Sequence, residues 1–301
     1  MTQTPVLQIR DLELSFDNAG EPVTALHGIS LHVMGREKVA LVGESGSGKS
    51  VTTRVVAGML RSGRDARIRG NIQLEGREVL DLPEPAYRRL RGTFMSMIFQ
   101  DPTSALNPLF MIGDQFREVL RSADPRISRR DARERAADLL KQVLLDDADR
   151  ILNAYPFQLS GGMNQRVMIA MALANRPALI LADEPGTALD VTVQARTLKL
   201  MGSLTSEAGS AVLFISHNLG VVREFADRIY VLYRGRIVEH GRTADVFAAP
   251  RHPYTQALFA AIPRIVGPGM PAVRPDDVSA FAAPACIHEG CAEPELAGAS
   301  R

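Results

Sequence analysis

The sequence predicts an α/β fold with a mostly parallel core sheet, an N-terminal antiparallel β region and an inserted helical segment. Three observations carry that expectation. The chain opens on runs that alternate apolar and polar residues. Its second half alternates short apolar runs with helix-length stretches. Between them lies a charged segment of helical periodicity. Strands separated by helices imply parallel pairing through right-handed crossovers, because a tight turn cannot return the chain parallel to itself.

Val6–Phe16 alternates along its whole length and Ala25–Met34 does so in part, so both read as half-buried antiparallel strands. Lys38–Val42 is a short apolar run that ends at Gly43, as expected of a buried strand feeding a turn. Val51–Leu60 then reads as a helix, and Asn71–Glu75 and Met95–Phe99 as further strands. From Asp101 to about Tyr155 the chain is helical and highly charged. Ser128-Arg129-Arg130-Asp131 has capping-box spacing, and Ala132, Ala136, Leu139, Leu140, Val143 and Leu144 follow on one helix face. A helical subdomain is therefore expected over about residues 101–175. After Ser160 the pattern runs helix to Ala174, strand Ala178–Ala182, helix from about Val191, strand Ala211–Ile215, helix, and strand Arg228–Leu232. From Pro263 onward Pro, Gly and Ala dominate and apolar periodicity ends. The expectation is one domain over residues 1–262 and a flexible appendage over 263–301.

Composition bounds the function classes. At 301 residues about 75% of the unfolded chain's surface can be buried. A net charge of +1 supplies no general basic field, so composition does not point to nucleic acid as the main partner. No apolar run approaches the 18 residues of a spanning helix, and Met1–Pro5 lacks the charged head and apolar segment of a secretory signal. Two cysteines in a chain of this length fit a reducing compartment. The expectation is a soluble cytoplasmic protein.

Gly43-Glu44-Ser45-Gly46-Ser47-Gly48-Lys49-Ser50 follows a strand and precedes a helix. Glycines at this spacing let successive backbone N–H groups curl around a polyphosphate, Lys49 reaches the β/γ-phosphates, and the Ser50 hydroxyl can ligate Mg2+. The flanking elements favour this over a chance glycine-rich turn. Ala178–Ala182 delivers Asp183 and Glu184 at a strand's C-terminal end, where ligands sit in open α/β sheets. There Asp183 suits the Mg2+ shell and Glu184 can polarise water; alone, the pair is equally a solvated strand terminus. Gln100 stands where a core strand meets the helical segment, and an amide there can touch Mg2+ and water, or be a satisfied polar strand end. His217, at the end of Ala211–Ser216, can donate to a γ-phosphate; a lone histidine in such a place is more often structural. Phe16 either packs at a strand end or stacks on an adenine ring. Ser160-Gly161-Gly162 opens a helix, and its backbone N–H groups and positive dipole end suit a second anion.

Taken together these residues resemble the ATP-binding subunits of ABC transporters, over roughly Val6 to Pro263. Gly43–Ser50 matches the Walker A loop, Gln100 the Q-loop, Leu159–Met163 the signature, and Leu179–Glu184 the Walker B strand with its glutamate. Thr187–Asp190 resembles the D-loop and His217 the H-loop. The resemblance implies a P-loop ABC ATPase that hydrolyses ATP with Mg2+, with Glu184 and His217 catalytic. ATP would contact Phe16, the loop residues Gly43, Glu44, Ser45, Gly46, Ser47, Gly48, Lys49 and Ser50, then Val51 and Gln100. Mg2+ would be held by Ser50, Gln100 and, through water, Asp183. Ser160, Gly161, Gly162 and Met163 would act on ATP bound by a partner subunit. The implied partners are a homologous ATPase subunit, in a homo- or heterodimer, integral membrane permease subunits and, indirectly, an external solute-binding protein. Nucleic acid is not among them. The implied location is peripheral, at the cytoplasmic face of the cell membrane.

More narrowly, Phe99–Pro108, Leu189–Gln194 and His252–Leu258 are similar to the ATPases of dipeptide, oligopeptide and nickel importers. Met163 stands where many signatures have Gln, as is frequent in this importer group. Gly186 replaces the usual Thr ahead of the D-loop, a change that loosens the chain there. Relatives can carry a cysteine-rich tail associated with an iron–sulfur cluster, whereas Cys286 and Cys291 fall short of four thiolates. The resemblance favours a peptide importer. It leaves as alternatives an importer of nickel or another small solute, a non-transport ABC ATPase, and a binding module whose nucleotide is regulatory.

Overall fold

The computed structural model describes residues 4–18, 21–63, 65–186, 191–261, 281 and 284–288. The chain divides into two compact units, one built from the chain up to Leu80 and again from His217 on, the other from Asp81–Ser216.

The first unit opens with β1 (Leu7–Asn18) and β2 (Glu21–Val33), paired antiparallel. Leu7, Ile9, Leu12 and Leu14 are at most 1% exposed. The inward set shifts by one residue between Ile9 and Leu12 because a bulge interrupts the ladder, with Asp11 at φ 46°. β3 (Lys38–Val42) runs into α1 (Lys49–Val56), which begins two residues before the expected Val51. α1 ends early because Gly58 adopts φ 64° and its N–H turns back to the Val55 carbonyl. β4 (Ala66–Leu74) pairs on the other side of β1, and β5 (Arg77–Glu78) completes the order β2-β1-β4-β5.

In the second unit α2 (Glu84–Leu90) precedes β6 (Met95–Ile98). Four helices follow: α3 (Pro102–Ala105), α4 (Ile112–Ala123), α5 (Arg129–Gln142) and α6 (Ala148–Leu152). Ser128 caps α5 as expected, its hydroxyl accepting from the Asp131 N–H at 3.1 Å. Ala132, Ala136 and Leu140 are buried, but Leu144 is not on that face. It lies past the helix end at φ 60° and 64% exposed, and Leu145 is buried in its place. α7 (Gly161–Leu173) is buried along Val167–Leu173. β7 (Leu179–Asp183), α8 (Val191–Ala208) and β8 (Ala211–Ile215) close the unit, and β6, β7 and β8 pair parallel.

The chain then re-enters the first unit through α9 (Leu219–Phe225) and β9 (Arg228–Tyr233), which pairs parallel with β3. A tight turn at Arg234 (φ 45°) and Gly235 (φ 74°) leads to β10 (Arg236–Arg242), antiparallel to β9. This strand stands outside the sequence expectation because Val238 is followed at its buried positions by Glu239, His240 and Gly241, which break any apolar run. α10 (Thr243–Ala248) and α11 (Pro253–Ala260) follow.

The C-terminal segment departs from the expected flexible appendage at its described residues. Phe281 is 7% exposed against Tyr233 and Tyr254, and β11 (Cys286–Ile287) adds a parallel strand to β10. One aromatic ring and two strand residues are enough for docking, and they are too sparse to register as periodicity. Cys291 lies outside the described residues.

Candidate functional site: a phosphate loop and a carboxylate strand end

In the first unit, β3 is buried from Val39 to Val42 and delivers Gly43 at a close approach to β9. A Cβ on Gly43 would lie 2.0 Å from the Leu232 carbonyl oxygen, and one on Gly48 would lie 2.6 Å from Leu26 Cδ2. Both glycines also have positive φ, so side chains are barred on two grounds. Lys49 is only 6% exposed, and its ammonium donates to the Gly43 carbonyl at 3.0 Å and the Glu44 carbonyl at 2.7 Å. The lysine is thereby folded back over its own loop. The Glu44 carbonyl also accepts from the Ser47 N–H at 3.2 Å, and the Ser47 carbonyl accepts from the Gly235 N–H at 2.9 Å.

Two features fit this loop to a polyphosphate. Ser47 Oγ is buried without a hydrogen-bond partner among the described residues, so an acceptor arriving in the loop would satisfy it. Gly48 gives α1 no side-chain cap and the first turn carries no acidic residue, so its positive end is left for an anion. Ser50 and Val51 form the half-buried start of that helix. Glu44, Ser45 and Gly46 are exposed.

Phe16 is half-buried in β1, cross-strand from Val23, which is 53% exposed, and from Ala66. His217 is exposed, two residues past β8 and directly before Asn218, which caps α9 by accepting from the Val221 N–H at 3.3 Å.

The second unit holds the carboxylates. β7 is buried throughout, and Asp183 at its end is 5% exposed and opposite Ile215 of β8. Glu184 is half-buried at φ 46°, and its N–H donates to the Ile215 carbonyl at 3.0 Å. That left-handed residue breaks the strand's alternation, so the side chains of Asp183 and Glu184 need not alternate as strand neighbours do. Gln100 lies two residues past β6 and donates from Nε2 to Glu184 Oε2 at 3.1 Å. β6 and β7 are adjacent and parallel, with Ile98 beside Ala182, so their ends meet. Asp101 caps α3, and hydrogen bonds from the Thr103 hydroxyl and N–H hold its carboxyl below the usual range. Each unit offers oxygen donors of the kind Mg2+ takes, the Ser50 hydroxyl in the first and the Gln100 amide and Asp183 carboxylate in the second.

Ser160 caps α7, its hydroxyl accepting from the Met163 N–H at 3.3 Å. Ser160 and Gly161 are exposed, and Gly162 and Met163 half-buried. Gly186 takes φ 93°, a conformation the usual Thr would enter only with strain. The D-loop residues 187–190 lie outside the described residues.

Sequence reasoning missed two supports of the phosphate loop, Gly235 and Tyr254. The Tyr254 hydroxyl accepts from the Glu44 N–H at 2.8 Å, and burial pushes its pKa up to about 12. The only sequence signal for Tyr254 was its place in His252–Leu258, which marks a subfamily without assigning a role.

The phosphate loop and the acidic strand end are those of a P-loop ATPase, and the chain belongs to the ABC transporter family, whose pattern it matches over residues 26–187. Residues 238–292 further match the oligopeptide/dipeptide transporter C-terminal region. The chain is 48% identical to the probable D,D-dipeptide transport ATP-binding protein DdpD of Escherichia coli, covering 92% of this chain and 85% of that protein. It is 45% identical to the oligopeptide transport ATP-binding protein AppD of Bacillus subtilis, over 87% of this chain and 80% of the relative. The peptidoglycan transport ATP-binding protein YejF of Agrobacterium fabrum is 48% identical, but the chain spans only 50% of its length. Among solved structures, the ATP-binding cassette MJ0796, in a dimeric post-hydrolysis state with ADP and Pi, superposes with a TM-score of 0.70. It is 29% identical, and the match covers 79% of this chain and 98% of that one. No helix among the described residues is long and apolar enough to cross a membrane.

Proposed function

We propose that this chain is the ATP-hydrolysing subunit of an ABC importer for peptides, driving transport through separate permease subunits. The observation that carries the cargo is the match of residues 238–292 to the oligopeptide/dipeptide transporter C-terminal region, in a chain with an intact phosphate loop and strand-end carboxylates. Gly43–Ser50 and Val51 hold the polyphosphate, with Phe16 against the base. The residues that would hold Mg2+ are Ser50 in the first unit and Gln100 and, through water, Asp183 in the second; the ion would neutralise charge on the transferring phosphoryl group. Glu184 orients and polarises water, and His217 donates to the γ-phosphate. Ser160, Gly161, Gly162 and Met163 complete the pocket of a second ATPase subunit, so ATP closes the pair and hydrolysis releases it.

Docking to a permease is supported by Leu109 and Phe110, 80% and 54% exposed, which follow Gln100 and α3 in the second unit. The subunit would therefore work at the cytoplasmic face of the membrane, with an external solute-binding protein delivering cargo. The test is reconstitution with peptide-importer permease subunits and a peptide-binding protein. ATP-dependent uptake of labelled dipeptide, abolished by Glu184→Gln, is the expected result. Uptake of nickel with no response to peptides would overturn the cargo assignment.

A further inference from the structure

Three restraints converge on Glu44, the first residue after the loop's leading glycine. Its carbonyl accepts from Lys49 Nζ and the Ser47 N–H, both within the loop. Its N–H donates to the Tyr254 hydroxyl from α11, some two hundred residues away along the chain (|i−j| = 210). The lysine restraint is conditional. Lys49 shares its three N–H donors between these carbonyls and any phosphate that enters the loop, so its hold on Glu44 changes when nucleotide binds. Tyr254 is a tether from outside the loop, and it holds Glu44 through the backbone N–H without drawing on the lysine.

The tether is held on two sides. The Tyr254 ring is 5% exposed, 4.3 Å from the Tyr233 ring and 5.5 Å from Phe281, which meets it edge-on at 76°. The start of α11 is fixed by Glu239, which is fully buried on β10 and accepts from the Arg251 N–H at 2.8 Å and the His252 N–H at 3.0 Å. His252 Nδ1 then accepts from the Tyr254 N–H at 3.2 Å. His288, just past β11, places Nε2 2.7 Å from the same Glu239 carboxylate. Gly241 makes room for it, since a Cβ there would lie 2.8 Å from His288 Cβ. The docked C-terminal residues thus touch Tyr254 directly, through Phe281, and brace its helix, through His288 and Glu239.

From this geometry we infer that Tyr254 is a positioning residue for the phosphate loop and that the docked C-terminal segment holds it in place. The inference rests on the ATP-binding reading of Gly43–Ser50. Tyr254 sets the loop's shape before nucleotide arrives, so its loss falls on affinity and not on the chemical step.

The test uses the full chain. Fluorescent MANT-ATP is titrated with Tyr254→Phe, Phe281→Ala and Lys49→Ala, each is melted without nucleotide, and KM and kcat are measured in the reconstituted transporter. Tyr254→Phe should weaken MANT-ATP binding roughly three- to tenfold, the size of one lost hydrogen bond. KM should rise in parallel with kcat within about twofold. Phe281→Ala should shift affinity in the same direction, and it carries the test if Tyr254→Phe does not fold. Unchanged affinity in Tyr254→Phe beside a large loss in Lys49→Ala overturns the positioning role and leaves the phosphate-loop reading standing. Unchanged affinity in Lys49→Ala overturns both. A loss confined to kcat also counts against it.

Discussion

Gln100 Nε2 donates to Glu184 Oε2 at 3.1 Å, tying the end of β6 to the end of β7. One carboxylate oxygen is thereby oriented by an amide that leads directly into the helices of the second unit. On the proposed reading of Glu184 as the carboxylate that polarises water, the pair is suited to couple its state to that helical region.

Glu184→Gln replaces the carboxylate with an amide of the same shape that still tolerates the contact with Gln100. ATP affinity should stay within about threefold, and turnover should fall by at least about 100-fold, the range of a lost general base. A nucleotide-dependent dimer should accumulate, seen by light scattering. Near-normal ATPase rates would remove Glu184 from the chemistry.

Lys49→Ala deletes a buried cation and its bonds to the Gly43 and Glu44 carbonyls. Nucleotide affinity should drop at least about tenfold, because hydrogen bonds from a charged donor to phosphate are among the strong ones. Equilibrium titration decides it, and an unchanged dissociation constant would contradict the assignment of the loop.

Ser160→Arg should leave nucleotide binding to the chain's own phosphate loop intact, since on the proposed reading Ser160 acts on ATP bound by a partner subunit. ATP-induced dimerisation and ATPase activity should both be lost. Ser160→Ala serves as a comparison that removes only the helix cap, worth about 1 kcal/mol of stability. Full activity in a strict monomer would sink the idea of a shared pocket.

The first unit should lose stability in mild acid. His32 and His240 flank the buried Tyr230 ring, and both have their pKa lowered to about 4, by burial first and then by the Arg228 charge. Above pH 6.5 neither the folded nor the unfolded histidines bind protons, and their contribution is fully present. As pH falls from 6.5 towards 4 the unfolded chain takes up protons that the folded chain refuses. Stability therefore declines across that window, by roughly 3 kcal/mol per histidine at most. Melting temperatures at pH 7.5, 6 and 5 should show the decline, and His240→Phe should flatten it. A melting temperature that holds constant from pH 7 to 5 would refute it.

What the sequence by itself determined is the chemistry that depends on short stretches of chain. The strand, loop and helix around Gly43–Ser50, the Asp183–Glu184 strand end and the Ser160 cap are each set by neighbours within about ten residues. Glycine at the tight turns, an apolar run into them and a capping hydroxyl are local causes, so they are legible in one dimension. Even there the boundaries moved, as at Leu144, where a left-handed turn closed the helix one residue too soon for the expected face. Only the tertiary structure decided that Gln100 touches Glu184, that Tyr254 tethers Glu44, and that Phe281 and His288 dock a segment whose composition suggested a free tail. These contacts join residues far apart in sequence, and each rests on a single side chain. Periodicity carries no record of such a partner, because the partner is chosen by how strands and helices pack and not by the residues on either side.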